Sequence, residues 1–363
     1  MRDNFNPHQI SFLDSLKNRR VIERERERVM LRHVYNDIIS IENLLVSWQE
    51  FLRGKRKRKD VAKFSVNLMD NILSLHDDLA NQAYIHGGYE AFKINDPKPR
   101  DIHKASVRDR LLHHAIYRKI YPLFDKTFIA DSFSCRLNKG THKAINRFRS
   151  LAYKASNNNT KTCWILKCDI RKFFANIDHN ILINILRERI EDENVLWLLL
   201  QIISSFSTER KIGVGLPLGN LTSQLFVNIY MDKFDQFIKH KIKVKHYIRY
   251  CDYFVILSDN RKYLEEMILP IKNFLSSELK LELHPNKIFI KPLASGADFL
   301  GWVNFPDHRI LRTATKRKMM RNIAKNREKT ETIQSYLGLM GWGNTKKLRN
   351  KIIRIVATYL MLN

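Results

Sequence analysis

The sequence predicts an α+β fold in which helices flank and interrupt a set of short strands. Hydrophobic periodicity is helical near both ends of the chain. In the middle, short β-rich runs lead into Asp169 and flank Cys251-Asp252. A hydrophobic content of 44% over 363 residues supports a folded globular core shared by more than one subdomain.

Charges alternate from Arg19 through Glu23 to Arg28, then Leu31, Val34, Ile38, Ile39 and Ile41 form an amphipathic pattern. The basic run from Arg53 to Lys59 precedes a helix from about Val61 to Leu79; it is either a solvated loop or a phosphate contact. Gly87-Gly88 and Pro97-Lys98-Pro99 bracket β-like pieces at 89–94 and around Ile102, which reads as a hairpin region. A helix follows from Val107 to Phe124, and a β run from Thr162 to Leu166 leads to Asp169. Residues 179–205 are helical, interrupted by charged residues. Gly213, Gly215, Pro217 and Gly219 mark a loop into a helix from about Thr222 to His240. Strands at 247–250 and 254–257 enclose Asp252, and a helix spans Lys262 to Leu279. A strand pair is expected at 288–290 and 299–303, and the last stretch is helical and basic.

The net charge of +27, from 64 Lys and Arg against 37 Asp and Glu, argues against an enzyme of small acidic metabolites. A polyanion, most simply nucleic acid, is the expected partner; a ribosome-like or membrane-surface protein is the alternative. Four cysteines without C-x-x-C spacing suggest neither zinc nor disulfides and fit a reducing compartment. MRDNFNPHQI lacks the apolar core of a signal peptide, and no apolar run is long enough to span a bilayer. The chain is therefore expected in the cytoplasm, with no membrane partner.

An acid at a strand end beside another at a hairpin turn brings two carboxylates into one open cleft. Phosphoryl transfer to a 3′-hydroxyl uses that arrangement with two divalent ions about 3.5–4 Å apart. Asp169 and Asp252 could instead merely end strands. Their surroundings are more specific: Asp169-Ile-Arg-Lys-Phe-Phe-Ala-Asn-Ile-Asp-His179, Gly215-Leu-Pro-Leu-Gly-Asn-Leu-Thr-Ser-Gln224 and Arg249-Tyr-Cys-Asp-Tyr-Phe254. In order, these resemble motifs A, B and C of reverse transcriptases. Leu283-His-Pro-Asn-Lys287 resembles motif D and Phe299-Leu-Gly-Trp302 motif E. Val107 to His114 and Ser132 to His142 resemble the finger motifs of bacterial members. The resemblance covers about residues 84–315. Leu-Pro-Leu-Gly-Asn-Leu-Thr-Ser-Gln and Pro306-Asp-His-Arg309 look most like the enzymes of diversity-generating retroelements.

The resemblance implies an RNA-directed DNA polymerase with a right-hand fold. A helical extension would occupy 1–80, fingers 81–160, a palm 161–304 with finger helices inserted at 180–212, and a basic helical thumb 305–363. Asp169, Asp252 and the carbonyl of Ile170 would bind two Mg²⁺, or Mn²⁺. Phe174 falls at the sugar gate, where a ring would exclude a ribose hydroxyl, or is plain core. Arg136 and Lys139 would hold the triphosphate, or are surface cations. Gly219, Asn220 and Gln224 would line the template and nascent pair; Asn220 or Thr222 is also a candidate helix N-cap. Lys287 would protonate pyrophosphate, or is a surface lysine. Phe299, Leu300, Gly301 and Trp302 would grip the primer, or form a buried β turn. Arg317, Arg321 and Lys325, with Arg312, Lys316, Lys318 and Arg327, would face the duplex.

Implied partners are template RNA, primer, cDNA and dNTPs, and for the retroelement group a small basic accessory protein forming a pentameric barrel. That group copies with errors at adenines, and the relaxed pairing is expected near Leu218 and Gln224. The host would be bacterial, or a phage. A maturase is disfavoured, because 305–363 is a length for a thumb alone.

One position departs from the pattern. Motif C normally reads Tyr-x-Asp-Asp, and here it reads Tyr250-Cys251-Asp252-Tyr253. Loss of an acid from a dication site is expected to impair catalysis, in which case Tyr253→Asp should raise primer extension. The competing reading is a polymerase scaffold that mainly binds RNA, or a phage-defence reverse transcriptase.

Overall fold

The computed structural model describes residues 30–95, 99–209, 211–326 and 328–362. The expected charged helix at Arg19 to Arg28, the turn residues Pro97-Lys98, and Arg327 lie outside the described residues.

Helices α1 (Tyr35–Ile39), α2 (Ile41–Leu52), α3 (Lys59–Val66) and α4 (Leu68–Ala80) come first. Strands β1 (Tyr89–Ile94) and β2 (Arg100–Ala105) and helices α5 (Val107–Asp125) and α6 (Thr141–Ala155) follow. Strand β3 (Trp164–Asp169) leads into a 3₁₀ turn at Phe173–Asn176, then α7 (His179–Arg187), α8 (Glu193–Ser204) and α9 (Leu221–Gln236), which closes in a π turn at Phe237–Lys241. Next are β4 (Tyr247–Tyr250), β5 (Tyr253–Ser258), α10 (Arg261–Leu279), a 3₁₀ turn at Pro285–Lys287 and β6 (Phe289–Pro292). The chain ends with β7 (Ala297–Phe299), β8 (Trp302–Asn304), β9 (Arg309–Leu311) and helices α11 (Thr313–Lys325), α12 (Thr330–Met340) and α13 (Lys346–Leu362). The sheets are antiparallel: β1-β2, β4-β5-β3-β6 and β7-β8-β9. The α+β class is as the sequence predicts.

The strands expected as a pair at 288–290 and 299–303 belong to different sheets. β6 pairs with β3, whereas β7 and β8 form their own hairpin. Alternation of apolar residues signals a strand, not its partner. Among the described residues no helix is long and apolar enough to cross a membrane.

Two compact units emerge, neither continuous in sequence. One takes in the described residues up to Phe128 together with Lys172–Lys233; the other takes in Ile129–Arg171 and the described residues from Phe234 onward.

In the first unit, α1, α2 and α3 pack against α5, and α4 packs against α1, α2 and α3. Asp192 serves two chain segments at once. Its Oδ1 accepts from the N–H groups of Asn194 and Val195, capping α8, and its Oδ2 accepts from Val34 and Tyr35 N–H. Behind the β1-β2 hairpin lies a buried polar cluster. Asp109 accepts from Tyr84 Oη at 2.8 Å, Ser106 Oγ at 2.7 Å and Gly87 N–H at 3.2 Å, and His86 Nε2 lies 3.3 Å from His113 Nε2.

Burial pulls His113 down to about 3, with His86 adding to the shift and Asp109 opposing it; burial, with Lys55 and Arg110, pulls His114 down to about 4. The unfolded chain would protonate both near 6.5. Each therefore binds protons better unfolded than folded. Their stabilisation is complete above about pH 6.5 and is lost as pH falls toward 4 and 3. The melting temperature is expected to fall as pH drops from about 6.5 to 4, and to fall less steeply in His113→Gln. Parallel curves for the two proteins would exclude His113 as a source.

In the second unit, one face of the four-stranded sheet carries Phe254 and Cys168 against α10, with Phe234 and Phe274 beside them. The other face carries Ile165, Val255 and Leu257 into a core with Phe148, Phe299, Trp302, Met319, Ile323 and Met340.

Candidate active site

β3 ends at Asp169, and its antiparallel register sets Asp169 directly opposite Tyr253 on β5. Ile170 N–H donates to the Asp252 carbonyl at 2.9 Å, so the chain segment after β3 and the β4-β5 turn are joined at the two acids. On the other side of Asp169, His284 N–H donates to its carbonyl at 2.7 Å and Lys287 Nζ to its Oδ1 at 2.8 Å. Asp169 is about a quarter exposed and Lys287 somewhat more. The second unit thus brings together Asp169, Ile170, Asp252 and Lys287.

The β4-β5 turn is held from beneath. Cys251 has a φ of 58°, a left-handed conformation that costs a side-chain-bearing residue roughly 1–2 kcal/mol. Arg249 Nη1 donates to the Cys251 carbonyl at 3.0 Å. The same guanidinium is fully buried on Asp235, with Nη2 2.7 Å from Oδ2 and Nε 2.8 Å from Oδ1, and Nη2 also reaches Ser132 Oγ at 3.0 Å. Tyr247 Oη donates to Asp235 Oδ1 at 2.6 Å. The sequence reading quoted Arg249 only as part of motif C and passed over Asp235. An acid near the C-terminal end of an apolar helix was the available signal.

As a metal site, the donors fit a hard cation. Asp169 and Asp252 supply carboxylates and Ile170 a carbonyl, and Mg²⁺ completes its shell with water and substrate phosphates. The nearby thiols offer no competing soft ligand, because burial pushes Cys168 and Cys251 up to about 12. Among the described residues no group of three or more His, Cys, Asp or Glu is placed to hold a metal. The described site therefore rests on two acids, Asp169 and Asp252, with Tyr253 opposite Asp169 on the neighbouring strand.

In the first unit, the glycine-rich loop packs along the segment that carries Phe174. Leu216 N–H donates to the Phe174 carbonyl at 2.8 Å, and Gly215 N–H to that of Ile177 at 2.8 Å. Gly219 has a φ of 110°, and a Cβ there would lie 2.8 Å from Ile102 Cγ2. Phe174 is half-buried with its ring edge-on to Phe173, and Gln224 is half-buried in the first turn of α9.

Three of these groups have partners within the protein. Asn220 is 1% exposed; its Nδ2 donates to His103 O at 2.8 Å and its Oδ1 accepts from Ala105 N–H, so it tethers the loop to β2 and is not free for substrate. Arg136 Nη1 donates to the carbonyls of Ile129 and Ser132, and Lys139 Nζ to that of Ala130 at 2.8 Å. Both cations hold their own loop. Phe299 and Trp302 are each 1% exposed and belong to the core, which leaves Leu300 and Gly301 as the half-exposed part of that segment. On α11, Met319 and Ile323 face inward, while Arg317, Arg321 and Lys325 are exposed and share a face at i, i+4 spacing.

A family model described as reverse transcriptase (RNA-dependent DNA polymerase) matches residues 93–304. Protein YkfC of Escherichia coli (strain K12) is 24% identical over 282 residues, covering 68% of this chain and 72% of YkfC. Group II intron-encoded protein LtrA of Lactococcus lactis subsp. cremoris is 22% identical over 289 residues, covering 61% of this chain but 46% of LtrA. Among solved structures, a telomerase from Candida albicans in complex with a TWJ fragment of telomeric RNA matches with a TM-score of 0.48 at 12% identity, over 63% of this chain and 47% of that one. The chain thus spans less than half of LtrA and of that telomerase chain.

Proposed function

This chain belongs to the reverse transcriptase (RNA-dependent DNA polymerase) family, whose model matches more than half of it, and from that premise we propose that it copies a template RNA into cDNA by metal-assisted nucleotidyl transfer. The observation that carries the proposal is the junction of Asp169 and Asp252 through the Ile170 N–H, with Lys287 on the Asp169 carboxylate. When bound, Mg²⁺ or Mn²⁺ would lower the pKa of the primer 3′-hydroxyl and neutralise phosphate charge. Asp169 and Asp252, with the Ile170 carbonyl, would hold the metal. Lys287 is set to donate a proton to the departing pyrophosphate. Arg136 and Lys139 reach the triphosphate only by releasing the carbonyls they hold here. The Leu300-Gly301 turn meets the primer through its backbone, and the Arg317, Arg321, Lys325 face tracks duplex phosphates without reading sequence.

The division into extension, fingers, palm and thumb at the boundaries given above belongs to this proposal. The test is extension of an RNA template–DNA primer with dNTPs and Mg²⁺ or Mn²⁺. Failure with both metals, together with retained RNA binding, would favour the RNA-binding scaffold that Tyr253 suggests.

Phe174 acts as the sugar gate in this reading. Phe174→Ala is expected to raise ribonucleotide incorporation relative to deoxynucleotide by roughly ten- to a hundredfold. Unchanged discrimination in single-nucleotide insertion would assign the ring to packing alone.

The finer reading is a diversity-generating retroelement enzyme, supported by the Gly215 to Gln224 sequence. It implies misincorporation at template adenines near Leu218 and Gln224, and a basic barrel-forming accessory partner. Sequencing of cDNA products decides it: errors spread evenly over all template bases would remove this assignment.

A further inference from the structure

We propose that Tyr253 is a positioning residue, whose phenol holds the Phe299–Trp302 hairpin turn in the conformation that meets the primer, and is not the remnant of a lost metal ligand. The inference rests on the polymerase reading above and deepens it.

Strand geometry sets the direction of the side chain. Tyr253 lies opposite Asp169, and directly opposed residues of an antiparallel pair project from the same face of the sheet. Lys167, two residues before Asp169, projects from that face as well, and its Nζ sits 5.3 Å from the Tyr253 ring centroid. The ring packs edge-on against Phe299 at 5.4 Å, and the phenol oxygen accepts the Leu300 N–H at 3.1 Å. Tyr253 is thus engaged at ring face, ring edge and hydroxyl by residues of the β3 strand and the β7-β8 turn.

The turn needs that help. Phe299 pairs with Trp302, so Leu300 and Gly301 are the two turn residues, with φ of 50° and 83°. Two consecutive positive φ values define the tight hairpin turn that normally carries Asn-Gly or Asp-Gly. Gly301 suits its place. Leu300 does not, since a leucine in the left-handed region is disfavoured and has no side-chain polar atom to support its own backbone. The Tyr253 hydroxyl supplies from β5 the hydrogen bond that keeps this turn closed. Arg312 N–H bonds to the Gly301 carbonyl at 3.0 Å, and Lys167 Nζ to the Asp298 carbonyl at 2.8 Å, so the hairpin is fastened at several backbone atoms around the same phenol.

A carboxylate at this position would lose the Phe299 ring contact and the Leu300 hydrogen bond, and would sit largely desolvated beside Phe299. Tyr253→Asp is therefore expected to lower primer extension, the opposite of what a missing metal ligand predicts.

Tyr253→Phe keeps the ring and removes only the acceptor. Amide hydrogen exchange in this variant is expected to lose protection at Leu300 while the β3-β5 ladder stays protected. In steady-state extension the KM for primer–template rises roughly two- to tenfold, the worth of one hydrogen bond, while the KM for dNTP is unchanged. Leu300→Asn, which suits the turn by itself, restores primer KM in the Tyr253→Phe background. Unchanged Leu300 protection in Tyr253→Phe, or faster extension by Tyr253→Asp than by wild type, overturns the inference. If the wild type extends no primer with either metal, the polymerase reading fails, and the exchange measurement at Leu300 still decides the brace.

Discussion

Asp252→Asn is expected to reduce primer extension by roughly a hundredfold to ten-thousandfold while the protein stays folded, because removing a metal ligand forfeits several kcal/mol of transition-state stabilisation. The expectation is severe here because the site is lean. Where a motif C holds two acids, losing one leaves a second beside it. In this chain the neighbour is Tyr253, turned toward Phe299 and Leu300. With Asp252 neutralised, Asp169 is the remaining carboxylate of the pair, and its Oδ1 is engaged by Lys287. Asp169→Asn should be at least as damaging. Neither change should unfold the chain, since both acids are partly exposed and the backbone bonds at 169, 170 and 252 do not depend on the side chains. Single-turnover extension at saturating Mg²⁺, paired with thermal melting, checks both points. Wild-type rates in Asp252→Asn would remove the carboxylate pair from the mechanism.

The framework of this site could be read from the sequence because it is local. Thr162 to Leu166 reads as β-rich, and the observed strand runs Trp164–Asp169 and ends at the acid. Tyr247 to Leu257 is a hairpin with its acid at the turn, and the structure keeps both. Helix α10 follows periodicity to within a residue, expected from Lys262 and observed from Arg261, whereas the helical stretch over 179–205 divides into α7 and α8. What could not be read is where long polar side chains end. Arg136 and Lys139 were expected at a triphosphate, yet in the folded chain each finds a carbonyl of its own loop, a partner no residue type encodes. Asn220 sits where a helix cap would, but its amide spans to His103 and Ala105, which are distant in sequence. Phe299 and Trp302 could be a grip or a buried turn on composition alone. Packing of α6, α11, α12 and α13 into the same core makes them interior. The departure at Tyr253 was visible as a missing acid, whereas its partners lay in a hairpin whose pairing the sequence misassigned.

Asp235→Ala is expected to destabilise the second unit by about 3–5 kcal/mol, because it leaves a buried guanidinium without its counter-charge. Both side chains are 0% exposed. Burial alone would lower the Arg249 pKa, but Asp235 more than offsets it and holds the guanidinium charged. Truncation removes the acceptor of Nε and Nη2 and orphans the Tyr247 hydroxyl as well. Denaturant unfolding measures the loss, and a change under about 1 kcal/mol would mean that water replaces the carboxylate. A second variant separates stability from function. Replacing both partners, as in Asp235→Leu with Arg249→Met, removes the unpaired charge and should recover much of the stability, since apolar pairs of similar volume often substitute for buried ion pairs. It also removes the Arg249 hydrogen bond to the Cys251 carbonyl, and with it the restraint on the strained residue that precedes Asp252. Extension should therefore stay slow in the double variant even when folding recovers. Recovery of both together would make the ion pair a matter of folding alone, whereas recovery of stability without rate identifies Arg249 as the group that aims Asp252.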